Sequence, residues 1–559
     1  MTRASLSFLL AAALTAAAGA QKSGRIPLAE LPGIDQKLLL EHTKTLASDE
    51  FEGRLPGTPG EDYSVTYLVE QFKKLGLAPG NTNGTFIQNV PLAGITPQPT
   101  VALTFAQGDR RETLGWRDDY VAWTSRVVEQ TALDASELMF VGYGVVAPEF
   151  RWDDFKGLDV EGKTLVVLVG DPPVRDPARP GQLDPKTFGG RAMTYYGRWP
   201  YKYEVAAARK AAGVLVVHET GPAGYPWGVV QGFGDERFNL RTPDRNMNRA
   251  AVEGWITLER ARQLFEMAGK SFDALKKAAA RRDFKPVPLG VTASVGLRNR
   301  IRTLDSRNVV AKLEGSDPEL RSEYVIYTAH WDHLGVGEPV EGDRIYNGAV
   351  DNAVGVAGLL EVARVFTKMP VPPRRSVLFL SVTAEEQLFL GSQYYAEHPI
   401  YPLEETLANI NLESLNVNGR TKDVTVVGLG YSDLDDYARE AAAEQGRVLR
   451  PDAEPEKGYY YRSDHFSFAR QGVPAFYPGE GTDFIGRPAG YAQKVRDAYV
   501  ATRYHTPQDE VLPTWDLSGV AEDLALAVAI GYRVAQADKW PEWKPGTEFK
   551  AVRERMLGK

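Results

Sequence analysis

Five potential metal ligands follow hydrophobic segments in the carboxyl-terminal half of this sequence. They are His330, Asp351, one member of the pair Glu385–Glu386, Glu413 and His505. Two imidazoles and several carboxylates, in a sequence without cysteine, suit borderline or hard divalent ions bound for catalysis rather than a structural zinc site. The pattern predicts a hydrolase that uses two metal ions.

The residue types also suggest how two ions would be shared. A bridging carboxylate needs two free oxygens in a fixed position, which suits Asp351. Each ion then takes one histidine and one further carboxylate. Because neighbouring side chains at a strand end point in different directions, one member of Glu385–Glu386 can bind metal while the other acts as a general base. Asp332, two residues after His330, can hold the second imidazole nitrogen.

Regular secondary structure must position these groups. Near-continuous apolar runs of strand length alternate with helical patterns from residue 308 onward. This alternation predicts a mixed, mostly parallel α/β sheet with helices on both faces. The strands are expected at 308–313, 324–329, 376–383, 407–412, 424–428 and 473–477, and the helices at 352–366, 434–444 and 517–537. His330, Glu385–Glu386 and Glu413 each follow a strand, so we expect them on the rim where the strands end.

Composition limits the function classes. A chain of 559 residues is too long for one ordinary core, so two or more domains are expected. Its net charge of −8 argues against nucleic acid as a partner. The absence of cysteine excludes a thiol nucleophile and a disulfide framework. The oligomeric state is not indicated.

The amino terminus has the pattern of an export signal. Arg3 precedes the apolar run 6–18, and Ala18-Gly19-Ala20 fits a cleavage site with small residues. We therefore expect a signal peptide over 1–20 and a secreted or periplasmic protein. Apart from this run, the sequence shows no apolar segment of membrane-spanning length.

The middle of the sequence differs from both ends. Helical patterns at 38–46 and 63–75 come first. From about residue 138, short apolar strands at 138–146, 164–170 and 213–217 alternate with irregular stretches. We interpret this region as a small inserted α/β domain. The expected organisation is a signal peptide over 1–20, the first part of the larger domain over 28–135, an insertion over 136–297, the catalytic part with the metal ligands over 298–540 and a tail over 541–559.

Several segments together resemble metallopeptidase family 28, the two-zinc aminopeptidases and their relatives. The resemblance extends from residue 308 to about 537, with a further match at 47–75, and the middle region resembles a protease-associated domain. The matching segments are Ala329-His330-Trp331-Asp332-His333, Gly348-Ala349-Val350-Asp351-Asn352-Ala353, Thr383-Ala384-Glu385-Glu386, Asn411-Leu412-Glu413, Arg462-Ser463-Asp464-His465-Phe466 and Tyr504-His505-Thr506-Pro507. The resemblance implies a zinc-peptidase fold, two zinc ions per chain and peptide substrates.

The family pattern also implies roles for single residues. His330 and Glu413 would bind one zinc, Glu386 and His505 the other, and Asp351 would bridge them. Glu385 would be the general base. Tyr504 would stabilise the oxyanion, with Tyr459, Tyr460 and Tyr461 as alternatives. Asp464 and His465 match a motif near the substrate pocket, whereas His333 is expected to be structural or to support a ligand.

One position departs from the family, which usually has aspartate where this chain has Glu413. The extra methylene moves the carboxylate outward by about one carbon–carbon bond length, and metal sites are sensitive to such shifts.

Taken singly, the candidate residues also have structural explanations: Asp351 could cap a helix, and Glu385–Glu386 could be a solvated face. The leading expectation is an exported zinc aminopeptidase. A carboxypeptidase, a glutaminyl cyclase with one zinc and a metal-free scaffold remain alternatives.

Overall fold

The computed structural model describes residues 26–179 and 181–559, so the expected signal peptide over 1–20 lies outside the described residues. The strands are β1 Ala78–Pro79, β2 Ile87–Gln107, β3 Arg110–Thr113, β4 Tyr120–Trp123, β5 Gln130–Phe140, β6 Val146–Ala147, β7 Trp152–Asp153, β8 Thr164–Leu168, β9 Gly213–His218, β10 Arg237–Leu240, β11 Val252–Thr257, β12 Val287–Leu313, β13 Tyr324–His330, β14 Gly335–Val340, β15 Asp343–Tyr346, β16 Ser376–Val382, β17 Thr406–Asn411, β18 Asp423–Val427, β19 Val448–Pro451 and β20 Ala475–Gly479.

The α-helices are distributed along the described residues, from Gln36 to Met556. The α-helices are α1 Gln36–Leu46, α2 Pro59–Lys74, α3 Trp199–Ala208, α4 Thr220–Ala223, α5 Trp227–Gln231, α6 Leu258–Met267, α7 Phe272–Ala279, α8 Val354–Thr367, α9 Leu390–Glu397, α10 Leu434–Glu444, α11 His465–Arg470, α12 Tyr491–Thr502, α13 Ser518–Gln536 and α14 Lys550–Met556. Within 26–179 and 181–559, none of these helices is long and apolar enough to cross a membrane.

The carboxyl-terminal half is built on a sheet with the strand order β19-β18-β20-β17-β13-β16-β12. β13 runs parallel to both β16 and β17, and β17 runs parallel to β20. β12 and β18 add antiparallel pairs to this parallel centre. The predicted mixed, mostly parallel sheet is therefore confirmed.

Side chains of the central strands alternate between two hydrophobic cores. Val325 and Tyr327 of β13 pack in the core that contains α1, α8 and α13. Ile326, between them, packs on the opposite face with Tyr395 of α9 and Phe468 of α11. Every residue of β13 and β16 is buried, because helices cover both faces of the sheet. This burial explains the near-continuous apolar runs.

Two long antiparallel strands, β2 and β12, link this part of the sheet to its other part. Beyond them the order continues as β5-β8-β9-β11-β4, with parallel pairing from β5 to β11. The second core takes side chains from Leu103 to Leu297. It therefore includes residues before 136, because Leu103 and Phe105 of β2 and Tyr120 and Ala122 of β4 pack in it. The predicted boundaries and the protease-associated resemblance remain proposals.

Several element bounds differ from the predictions for physical reasons. The strand expected over 138–146 ends at Phe140, because Gly142 and Gly144 adopt left-handed backbone angles, with φ of 61° and 63°. Gly269, whose φ is 66°, separates α6 from α7. The expected tail includes α14, and Phe549 just before it is buried.

Candidate metal centre

The rim at the carboxyl ends of the parallel strands collects the predicted ligands. His330 is the last residue of β13, and Glu413 comes two residues after β17. Glu385 and Glu386 follow β16, in a turn where Ala384 has a φ of 51°. Because β13, β16 and β17 run in one direction, these residues share one edge of the sheet.

Asp351 lies between the two predicted histidines. Its Oδ1 is 3.4 Å from Nε2 of His330, and its Oδ2 is 3.3 Å from Nε2 of His505. Asp351 is 5% exposed and His330 is 1% exposed. Each oxygen of one buried carboxylate thus faces a different imidazole, which is the arrangement expected of a group that bridges two cations.

Glu386 connects His505 to a further histidine. Its Oε2 is 3.1 Å from Nε2 of His505, while its Oε1 is hydrogen-bonded to Nδ1 of His333 at 2.6 Å. Burial would raise the pKa of Glu386, but the charges of His505 and His333 lower it to about 2. Burial would likewise lower the pKa of His505, but Glu386 and Asp351 raise it to about 10. His333 therefore holds Glu386 in the orientation that faces His505.

His333 also extends the set of ligand atoms. Those of His333, Asp351 and Glu386 lie within 4.8 Å of one another. These three residues could together hold a cation, so His333 is a candidate ligand as well as a support for Glu386.

Asp332 contacts both the glutamate pair and His330. Its carboxylate accepts hydrogen bonds from the backbone N–H of Glu385 at 3.0 Å and of Glu386 at 3.3 Å. The expected carboxylate contact to His330 is longer, at 3.7 Å, because the backbone carbonyl of Asp332 lies 3.1 Å from His330 Nδ1. The carboxylate thus holds the turn that carries the predicted base.

Glu413 is held by residues from three segments. The hydroxyl of Ser463 is in very close contact with its carboxylate, and Asn411 Nδ2 lies 3.4 Å from the same oxygen. Asn352, the neighbour of Asp351, donates to the carbonyl of Leu412 at 3.0 Å. The longer side chain therefore has dedicated polar partners, although the sequence pattern marks it as the departure from the family.

The three remaining predicted residues have different surroundings. Tyr504 is 45% exposed, and its ring stacks on His505 with centroids 3.9 Å apart. Asp464 and His465 are both 0% exposed, and His465 packs between the rings of Tyr460 and Tyr477. Burial lowers the pKa of His465 to about 3, so its ring is neutral at ordinary pH. Neither side chain reaches solvent, and the substrate contact expected of Asp464 and His465 stays a prediction.

Two buried residues near the centre have no signal in the sequence pattern. Arg54, 1% exposed, donates to the carbonyls of Trp331 and Gly348 and so ties the amino-terminal segment to the loops that carry His330 and Asp351. Asp509, 0% exposed, accepts from the N–H of Asp351 at 3.0 Å. Lone charged residues in loops could be recognised only from the folded chain.

We expect Asp509→Ala to lower the zinc affinity roughly 10- to 100-fold, because loss of a group that orients a ligand has effects of this size. It should also lower the free energy of unfolding by about 1–3 kcal/mol, since the N–H groups of Val350 and Asp351 lose a buried acceptor. Zinc titration and denaturant unfolding measure the two effects. Glu510→Ala, at the exposed neighbouring position, is the control, and an equal effect there would contradict this role for Asp509.

The donor set fits divalent cations. Nε2 of His330 and Nε2 of His505 have no well-aligned hydrogen-bond partner among the described residues, yet both face carboxylate oxygens. Buried polar atoms without partners are costly, and cations between these nitrogens and oxygens would satisfy them. Two histidines with carboxylates are a donor set that zinc accepts.

Comparison with known proteins gives a family for part of the chain. The model of peptidase family M28 matches residues 308–529. The curated aminopeptidase NAALADL1 of Mus musculus is 35% identical over 132 residues, which are 22% of this chain and 16% of that protein. A vacuolar membrane protease of Ajellomyces capsulatus is 26% identical over 144 residues, 24% of this chain and 13% of that protein. The chain thus spans less than a fifth of the length of these relatives.

The fold has a counterpart among solved structures. The aminopeptidase from Aneurinibacillus sp. strain AM-1 aligns over 92% of this chain and 95% of its own, with a TM-score of 0.51 and 20% identity. At that identity the similarity shows a shared fold. This shared fold supports one conclusion, together with the match over 308–529 and the rim of histidines and carboxylates. Residues 308–529 of this chain form a peptidase family M28 domain.

Proposed function

We propose that this protein is an exported, zinc-dependent aminopeptidase that binds two zinc ions. The observation that carries the proposal is Asp351, whose two oxygens face His330 and His505 separately. His330 with Glu413 would hold one ion, and His505 with Glu386 the other. The aminopeptidase direction is supported by the names of NAALADL1 and of the Aneurinibacillus enzyme. Export is supported by the predicted signal over 1–20.

Zinc ions held by these residues would polarise a peptide carbonyl and make a nearby water acidic. The chain's own residues would transfer the proton and stabilise the oxyanion. Glu385 is 7% exposed, and Asp332 fixes its backbone. Burial raises its pKa well above the usual range, with the carboxylates of Glu413 and Glu386 adding to the effect. Glu385 can accept a proton from the attacking water and pass it to the departing amine. Tyr504 stacks on His505 and is partly exposed, and its hydroxyl would stabilise the oxyanion.

A panel of aminoacyl amides with free and with blocked amino groups tests this function, run with and without a chelator. We expect hydrolysis of the free amines only, loss of that activity with chelator, and recovery with zinc. Hydrolysis of the blocked compounds as well would show that no free amine is needed and would contradict the aminopeptidase direction. Hydrolysis that survives complete zinc removal would overturn the proposal.

A further inference from the structure

The turn between β16 and α9 carries Glu385–Glu386 at its start and contacts the inserted region, residues 136–297, at its tip. Gln387 Oε1 accepts a hydrogen bond from the backbone N–H of Phe238 in β10 at 3.2 Å. Leu388, the next residue, packs against a hydrophobic core that is built largely from the inserted region. Both contacts lie within three residues of Glu385, so the inserted region holds the segment that carries the predicted base.

The core against which Leu388 packs is rich in aromatic side chains, and we call it the aromatic core. The ring centres of Trp199 and Tyr203 are 5.6 Å apart, and those of Trp199 and Trp255 are 5.9 Å apart. All three side chains are buried. Because close-packed rings in edge-to-face contact have few alternative arrangements, the aromatic core offers Leu388 a rigid surface.

The backbone of the turn needs such support. Leu388 and Phe389 both adopt left-handed backbone angles, with φ of 73° and 62°. This conformation is unfavourable for residues with large side chains. Two of them in succession persist only where surrounding contacts hold them in place. The packing of Leu388 and the hydrogen bond of Gln387 are contacts of this kind.

Glu385 depends on the turn more than Glu386 does. The carboxylate of Glu386 is bonded to His333 at 2.6 Å. The carboxylate of Glu385 has no hydrogen-bond partner within the described ranges, and the residue is held through its backbone, whose N–H donates to Asp332 and whose carbonyl accepts from the N–H of Phe389 at 2.9 Å. A displacement of the turn would therefore move the predicted base before it moved the neighbouring ligand.

Space for such a displacement exists beside the turn. A cavity of about 150 Å³ lies between the turn and the inserted region, and Leu388, Phe389, Trp199 and Arg237 are among the residues that line it. Truncation of Leu388 would enlarge this cavity. The tip of the turn could then move into it and relieve its left-handed backbone angles.

We propose that Leu388 is a positioning residue, whose packing against the aromatic core holds Glu385 at the metal centre. The inference rests on the proposed peptidase function and gives the inserted region a part in it. Leu388 takes no part in the chemistry itself. The inserted region would thus act on kcat through the turn, in addition to any effect on the access of substrates.

Leu388→Ala is expected to lower kcat about 10- to 100-fold, because a small displacement of a catalytic group has effects of this size. The substrate is the aminoacyl amide that the unaltered protein hydrolyses most rapidly. KM and the zinc content should stay close to those of the unaltered protein, since His333 supports Glu386 independently. Leu388→Met keeps most of the apolar volume and should retain most of kcat.

Leu388→Gly separates the side chain from the backbone. Glycine adopts left-handed angles freely but cannot pack against the aromatic core, so we expect kcat to be as low as in Leu388→Ala. A kcat equal to that of the unaltered protein would overturn the proposal. A zinc content that falls in parallel with kcat would also overturn it, because the effect would then act through Glu386.

Leu264→Ala is the matched control. It truncates a buried leucine of the inserted region that packs in a different core. It should lower the melting temperature and leave kcat of the folded enzyme unchanged. Equal losses of kcat in Leu264→Ala and Leu388→Ala would show a general effect of destabilisation and refute the role of Leu388.

A second variant decides if Leu388→Ala does not fold. Gln387→Ala removes only the hydrogen bond from the N–H of Phe238, and we expect kcat to fall about 3- to 10-fold. An unchanged kcat would overturn the proposal.

Hydrogen exchange distinguishes a failure of this proposal from a failure of the peptidase function. Hydrolysis of no aminoacyl amide by the unaltered protein would contradict the peptidase function alone. Mass spectrometry of amide exchange over residues 384–390 then tests the contact itself. We expect exchange at least about 10-fold faster in Leu388→Ala, or in Gln387→Ala if the former does not fold, than in the unaltered protein. Equal exchange rates would refute the positioning role.

Discussion

Glu385→Gln is expected to lower kcat by about 10²- to 10⁴-fold, the usual contribution of a general base. The amide has nearly the same shape as the carboxylate but cannot take a proton from water. The backbone hydrogen bond from Glu385 N–H to Asp332 does not involve the side chain and should persist. Steady-state kinetics on an aminoacyl amide, with elemental analysis of the same sample, measures activity and zinc content together.

The control for this variant is Glu397→Gln at the end of α9, which should leave both quantities unchanged. An unchanged kcat in Glu385→Gln would contradict the assignment of the base. If the zinc content fell with the activity, Glu385 would instead be a ligand, and the division of roles within the Glu385–Glu386 pair would be reversed.

Asp351→Asn is expected to lower the zinc content to below one ion per chain and to reduce activity at least about 10³-fold. The physical reason is that each oxygen of Asp351 faces a different histidine. An amide presents one oxygen and one NH₂ group, and the NH₂ group cannot bind a cation. Loss of the ions should also lower the melting temperature, because ligands that bind only the folded state stabilise it.

Asp538→Asn is the matched control, since Asp538 is an exposed aspartate paired with Arg374. Elemental analysis and scanning calorimetry, before and after addition of zinc, provide the measurement. Two ions per chain in Asp351→Asn, bound as tightly as in the unaltered protein, would rule out the bridging role.

The surroundings of Glu413 could not be predicted by sequence comparison alone. The sequence marks it as the departure from the family pattern, because a longer side chain should displace the carboxylate. The folded chain provides Ser463 and Asn411 at that carboxylate, and Asn352 fixes the backbone before it. The longer side chain therefore has a supporting environment, which only the contact between three distant segments reveals.

In the long strand β2, pairing with β12 outweighs the local residue preferences. Pro91, Pro97 and Pro99 interrupt β2, and proline removes the N–H that a strand interior normally uses, so the pattern does not indicate a strand there. Tertiary pairing decides the outcome, since β2 follows β12 from Val309 to Thr292. Local residue preferences are weak compared with such extended pairing.

The sequence by itself determined the kind of fold and the order of the candidate metal ligands. Buried parallel strands require continuous apolar runs, and ligands at their ends follow these runs directly, so both are local features of the chain. The tertiary structure alone decided which groups support the centre. Arg54, Asp509 and Ser463 reach it from separate loops. Such contacts depend on distances between segments far apart in the sequence, which no local pattern encodes.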